Sequence, residues 1–183
     1  VIEVAGVIEA FQGISPRVGK DVYVAPTACV TGDVTLGDCA SVWHGASVRG
    51  DVWKIRIGEF TNIQDCCVCH VTTGGPELVV GERVTVGHGA VLHSCHIEEN
   101  CLIGMGAVIL DGVRVGRGSI VAANSVLLAG SEVPPNSLVA GVPAGVKKKL
   151  GEEAERSLIE RAGEYHKLAM AYLGKRKFSW PEE

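Results

Sequence analysis

Large rings are scarce in this sequence: tryptophan, tyrosine and phenylalanine make up 5% of its 183 residues. A core with so few of them is either thin or filled by small and β-branched side chains. No apolar run approaches the roughly 18 residues that a membrane-spanning helix needs, which excludes an integral helical membrane protein. Positive charge is not in excess, since 17 lysines and arginines face 21 aspartates and glutamates for a formal charge of -4. That balance argues against nucleic acid or an anionic membrane as the principal partner. The opening residues VIEVAGVIEA show no basic stretch leading into an apolar one, so no secretory leader is read there. The 7 cysteines are odd in number and irregular in spacing, which fits free thiols in a cytoplasmic protein better than a disulfide framework.

Glycine, by contrast, is abundant at 24 residues, and it falls on a period together with the aliphatics. An aliphatic residue recurs every six positions at Val18, Val24, Val30, Leu36, Val42 and Val48. The series resumes at Ile57, Ile63 and Cys69, then at Val80, Val86 and Leu92, and runs from Ile97 through Ile103, Ile109, Val115, Val121 and Leu127 to Val133 and Val139. Four places after many of these starts stands a small residue, such as Ala28, Ala40, Ala46, Ala90, Ala107, Ser119 or Ser125. Glycine often comes directly after the start, as at Gly37, Gly58, Gly81, Gly87, Gly104 and Gly116. A helical stripe returns at three and four, so a strict hexad is not a helix. It describes a short strand and a corner; three faces close one coil, and coils stack at about 4.8 Å. About twenty hexads, three to a coil, make six to seven coils of an all-β parallel β-helix over residues 1–146.

Beyond Pro143 the pattern changes. Leu150, Ala154, Leu158, Ile159, Ala162, Tyr165, Leu168, Ala169, Tyr172 and Leu173 form an apolar stripe at helical spacing. Residues 147–183 therefore read as a C-terminal helix over about 152–173 with a tail, its end marked by Gly174 and Pro181. The helix is expected to lie along the outside of the prism.

The register also places the histidines. The hexads starting at Val48, Cys69 and Leu92 are three faces apart, so their second positions, Arg49, His70 and His93, form one outward ladder. His70 and His93 then stand roughly 5 Å apart at the backbone, a workable separation for two imidazoles on one metal. His88 is third in its hexad, one face earlier, above Asp65. One prism does not readily bring both faces to a point, whereas a threefold trimer does, because neighbouring chains pack face to face. The expected site lies between subunits, with His70 and His93 from one chain and His88 from the next. Three imidazoles with an open fourth position are the mark of catalytic zinc, and neutral histidine also suits Fe2+ or Co2+.

VRGDV at 48–52, TNIQD at 61–65, His70, VGHGAVLH at 86–93 and AGVPA at 140–144 together resemble the γ-class carbonic anhydrase family. The resemblance implies a left-handed β-helix, a homotrimer, and reversible hydration of carbon dioxide to bicarbonate by a metal-activated hydroxide. It implies that His70, His88 and His93 bind the metal, that Arg49 and Asp51 form an ion pair, commonly across the trimer interface, and that Gln64 stands by the reacting water. Asp65 then supports the interface network. Tyr165 matches a helix tyrosine that reaches the pocket in that family; at its place in the apolar stripe it can equally serve packing.

The sequence departs from the family's prototype where that protein carries an acidic, proton-shuttling loop. Here Asp51 is followed by Val52 and Trp53, and the segment VTTGGPELV at 71–79 holds only Glu77. Glu77, His96 and His44 are the substitutes at hand. Cys66, Cys67 and Cys69 beside His70 raise a thiolate cluster, but the register turns Cys67 and Cys69 inward as core residues and only Cys66 outward. Two other readings stay open at this point. One is a hexapeptide acyltransferase, which shares the repeat and AGVPA; the other is a trimeric scaffold or binding protein of little activity.

Overall fold

A computed structural model describes residues 6–179, and Pro181, expected to help end the helix, lies outside them. The chain winds into a parallel β-helix of three faces. The first face stacks Val68–His70, Val91–His93, Val108–Ile109 and Val126–Leu127. The second stacks Leu78–Val80, His96–Ile97, Arg114–Val115 and Glu132–Val133. Two long strands, Cys29–Leu36 and Ser47–Ile57, run around the corner and join these faces into one 12-stranded sheet. The third face is an 8-stranded sheet from Tyr23–Val24 to Ser137–Gly141, closed by the strand Ala144–Lys149. That last strand turns back after residues 142–143, pairs antiparallel with Ser137–Gly141 and runs past residue 146, a feature no hexad announces.

The structure accounts for the hexad. First-position residues such as Val30, Val48, Ile63, Leu92, Ile103 and Val121 are fully buried, as are fourth-after residues such as Ala28, Ala90 and Ala107. Each large aliphatic among them stabilises the coil by about 1.5–3 kcal/mol. Glycine follows the first position because coils touch there: a Cβ on Gly58 would lie 2.5 Å from backbone atoms of Gly81. The corners close through residues with left-handed backbone, among them Asn100, Asn124 and Asn136.

Tyr23, Trp43, Tyr165 and Tyr172 gather at one seam. The helix α1, Glu152–Tyr172, packs lengthwise against the third face. Tyr165 meets Trp43 edge to face at 5.5 Å between centroids, and Tyr172 stacks near Tyr23 and Trp43. Gly174, with φ of 68°, ends the helix. At the other end Arg117 Nε and Asn100 Nδ2 both donate to Glu155 Oε1 at 2.7 Å. These bonds hold the Glu155 carboxyl below the ordinary glutamate range. A depressed carboxyl contributes stability that is present above its unfolded value of about 4.3 and is lost as pH falls through the folded one. Glu155→Gln is therefore expected to lower the melting temperature by about 2–4 °C at pH 7. The difference from wild type should shrink on acidification below about pH 4 in parallel melting curves.

Candidate metal centre

The ladder read from the repeat is present. His70 and His93 are paired across adjacent parallel strands, and one coil below them the Val48–Cys69 pairing brings Arg49 into line. His70 Nδ1 lies 3.2 Å from His93 Nε2. The opposite ring nitrogens each face a carboxylate: His70 Nε2 is 3.0 Å from Asp51 Oδ1, and His93 Nδ1 is 2.6 Å from Asp111 Oδ1. An ionised carboxylate only accepts, so each of those nitrogens carries the proton. The two facing nitrogens are then lone-pair donors aimed at one place. On a tetrahedral zinc with bonds of about 2.0–2.1 Å, two nitrogens stand about 3.3–3.4 Å apart, close to the spacing found.

Arg49 and Asp51 of the same chain are ion-paired. Burial works against the ionised form of Asp51, but the bonds from Arg49 and His70 outweigh it and hold the carboxyl below the ordinary aspartate value. Asp111 is held low as well, first by the hydroxyl of Thr72 and, against some desolvation, by His93.

His88 stands on the neighbouring edge, where its Nδ1 is 2.7 Å from Asp65 Oδ2. Among the described residues no three His, Cys, Asp or Glu side chains of the one chain gather closely enough to hold a metal ion. His88 instead borders a cleft of about 360 Å³ on the third face, together with Gln64, Thr85, Met105, Arg161 and Tyr165. Gln64 is buried, and its Nε2 donates to Asn62 Oδ1 at 3.0 Å while Asn62 Nδ2 donates to Thr85 Oγ1 at 3.1 Å. That chain fixes the amide at the edge of the cleft. Burial and, after it, the charge of Asp65 push the Tyr165 hydroxyl above its usual value, so it remains a protonated donor at neutral pH. Tyr165 thus both packs on Trp43 and lines the cleft.

The substitutes for an acidic loop do not gather here. Glu77 is bound to Arg56 at 2.8 Å, and His96 belongs to the second face between Val79 and Arg114. The Nδ1 of His44 lies 3.3 Å from Thr27 Oγ1. The thiol cluster is also absent: Cys67 and Cys69 are buried in the core and Cys66 is exposed. Burial pushes Cys67 up to about 11 and Cys95 to about 12, so these thiols stay protonated and serve as small core groups. Sequence reasoning missed Asp111 and Thr72. The register puts Asp111 in the hexad above the one that carries His93, but one position further along, so no column joins the two.

A three-faced solenoid with a histidine pair on one face and a third histidine on the next edge defines a hexapeptide-repeat protein. The family profile "Bacterial transferase hexapeptide (six repeats)" matches residues 94–129. The "Probable carbonic anhydrase" of Methanocaldococcus jannaschii is 49% identical over 83% of this chain and 95% of its own length. The mitochondrial gamma carbonic anhydrase 2 of Arabidopsis thaliana is 40% identical over 92% of this chain and 62% of its own length. Among solved structures, a hexapeptide transferase family protein from Anaplasma phagocytophilum superposes with a TM-score of 0.86 at 38% identity, covering 91% of this chain and 98% of that one. The chain belongs to the γ-class carbonic anhydrase family.

Proposed function

We propose that this protein hydrates carbon dioxide reversibly to bicarbonate as a homotrimer in the cytoplasm, at three centres that each hold one zinc ion. His70 and His93 of one chain and His88 of the next would hold the ion; ferrous iron or cobalt suits the same donors. The observation that carries this reading is the pair of facing nitrogens 3.2 Å apart, each with its opposite nitrogen on a carboxylate. When bound, the metal supplies the acidity that makes water a nucleophile near neutral pH.

The trimer reading is supported by how the three faces differ. On the first face Val68, Val91, Val108 and Val126 form an outward column, and Leu110 and Leu128 continue the line of the histidines. Val68 is 42% exposed and Leu128 52%. The matching outward column of the second face reads Arg56, Val79, His96, Arg114 and Glu132, which suits water. The third face is covered by α1 over its lower strands. An apolar strip beside a two-histidine half-site is the surface a second copy would cover.

The remaining side chains have distinct tasks. Gln64, fixed through Asn62, hydrogen-bonds the reacting oxygen or the bicarbonate product, and the protonated Tyr165 hydroxyl donates beside it. Asp51 and Asp65 orient His70 and His88, and Arg49 neutralises Asp51. Attack of water on carbon dioxide also releases one proton, and the carboxylates near the centre, Asp51, Asp65 and Asp111, are already committed to histidines, while Glu77 is turned away to Arg56.

Stopped-flow hydration on anaerobically purified protein, with metal content measured in parallel, tests the reading. General acid–base groups contribute about 10²–10⁴-fold, so lack of a shuttle should leave kcat limited by external base. We expect kcat to rise on the order of tenfold with imidazole-type buffer, while kcat/KM for carbon dioxide changes much less. A buffer-independent kcat would show that a side chain of the protein already carries the proton. No hydration at any buffer concentration by metal-filled protein would overturn the enzymatic reading and favour a binding or scaffold role.

A further inference from the structure

We infer that Asp111 and Thr72 are positioning residues that decide which nitrogen of His93 is presented to the metal. The inference rests on the metal centre proposed above. Asp111 uses its two oxygens separately: Oδ1 accepts from the Nδ1–H of His93, and Oδ2 accepts from the Thr72 hydroxyl, both at 2.6 Å. Thr72 is itself held, because its backbone N–H donates to Ser94 Oγ at 2.8 Å. Ser94 is fully buried, and its own N–H donates to the His70 carbonyl while its carbonyl accepts from Gly112 N–H. A closed circuit therefore runs from His93 through Asp111, Thr72 and Ser94 to the backbone of His70.

The circuit has a chemical consequence. A carboxylate cannot donate, so Asp111 forces the proton onto Nδ1 of His93 and leaves Nε2 as the donor atom. Such outer partners of ligating histidines typically govern metal affinity by about 10–100-fold. Thr72 lies in the segment 71–79, whose one carboxylate, Glu77, is bound to Arg56, so this segment contributes a hydroxyl that clamps the support of a ligand. Its task here is to hold the centre's geometry.

Zinc affinity, measured by competition with a chromogenic chelator, gives a readout independent of turnover. Asp111→Asn is expected to weaken zinc binding about 10–100-fold, because a neutral amide accepts more weakly and can also donate to the ring. Thr72→Val should weaken it less, and Thr72→Ser, which keeps the hydroxyl, should bind as wild type does. The visible spectrum of the cobalt-loaded protein should shift in Asp111→Asn and Thr72→Val but not in Thr72→Ser. A merely structural role would not move that spectrum selectively. Wild-type zinc affinity and an unshifted cobalt spectrum in Asp111→Asn would overturn the inference and leave the metal centre standing. A wild-type protein that takes up no metal would overturn the centre itself.

Discussion

His93→Ala is expected to abolish metal binding and reduce carbon dioxide hydration to the uncatalysed rate while leaving the β-helix folded. The separation of these effects follows from the hexad. Leu92 points inward and is fully buried, whereas His93, next along the strand, points outward and takes no part in the core. Substitutions at such outward positions usually change stability by no more than about 0.5 kcal/mol. Removing the ring, however, takes away one of two facing nitrogens and, in the proposed trimer, leaves His70 with only His88 of the neighbouring chain. Two ligands cannot replace the three that hold a catalytic metal and leave one position open. Metal content by elemental analysis and unfolding of the metal-free proteins by circular dichroism check both halves. Loss of the fold would mean that position two of the hexad carries core packing; full metal retention would mean that the centre lies elsewhere.

Val108→Asp is expected to dissociate the trimer and, with it, to remove metal and activity although no ligand is touched. Val108 sits between Val91 and Val126 in the outward apolar column of the first face. A carboxylate placed there would be buried without a partner in the assembled protein, a change that costs about 3–5 kcal/mol at an interface built of aliphatics. The same substitution at Val79, on the polar second face between Arg56 and His96, should leave assembly intact. Light scattering reports the mass, and zinc content is read on the same samples. Because His88 stands with Asp65 on a different edge from the His70–His93 pair, a monomer retains only half-sites. A monomeric Val108→Asp protein that keeps zinc as tightly as wild type would refute the shared centre.

These expectations rest unevenly on sequence and structure. The period of six was legible because every coil repeats the same demand: one aliphatic inward, one small residue four places on, and a glycine where neighbouring backbones touch. From that register the alignment of His70 with His93, the place of His88 over Asp65, and the burial of Cys67 and Cys69 could be counted without coordinates. The stripe from Leu150 to Leu173 likewise announced α1 to within a residue at its end. Counting along one axis, however, fixes only which residues share a column.

What spans columns or faces was decided by tertiary structure alone. The strand Ala144–Lys149 turns back antiparallel outside the period, so no hexad could signal it. The pairing of Asp111 with His93 is a diagonal contact between coils, set by side-chain reach rather than by register, and Thr72 enters from a segment outside the repeat. Glu77 reads in sequence as the one acidic group of its loop, yet it turns away to Arg56 on the second face. The repeat determined where the histidines stand along the chain; the packing of coils and loop determined which ring nitrogen of each faces a carboxylate, because that depends on the partner that reaches it.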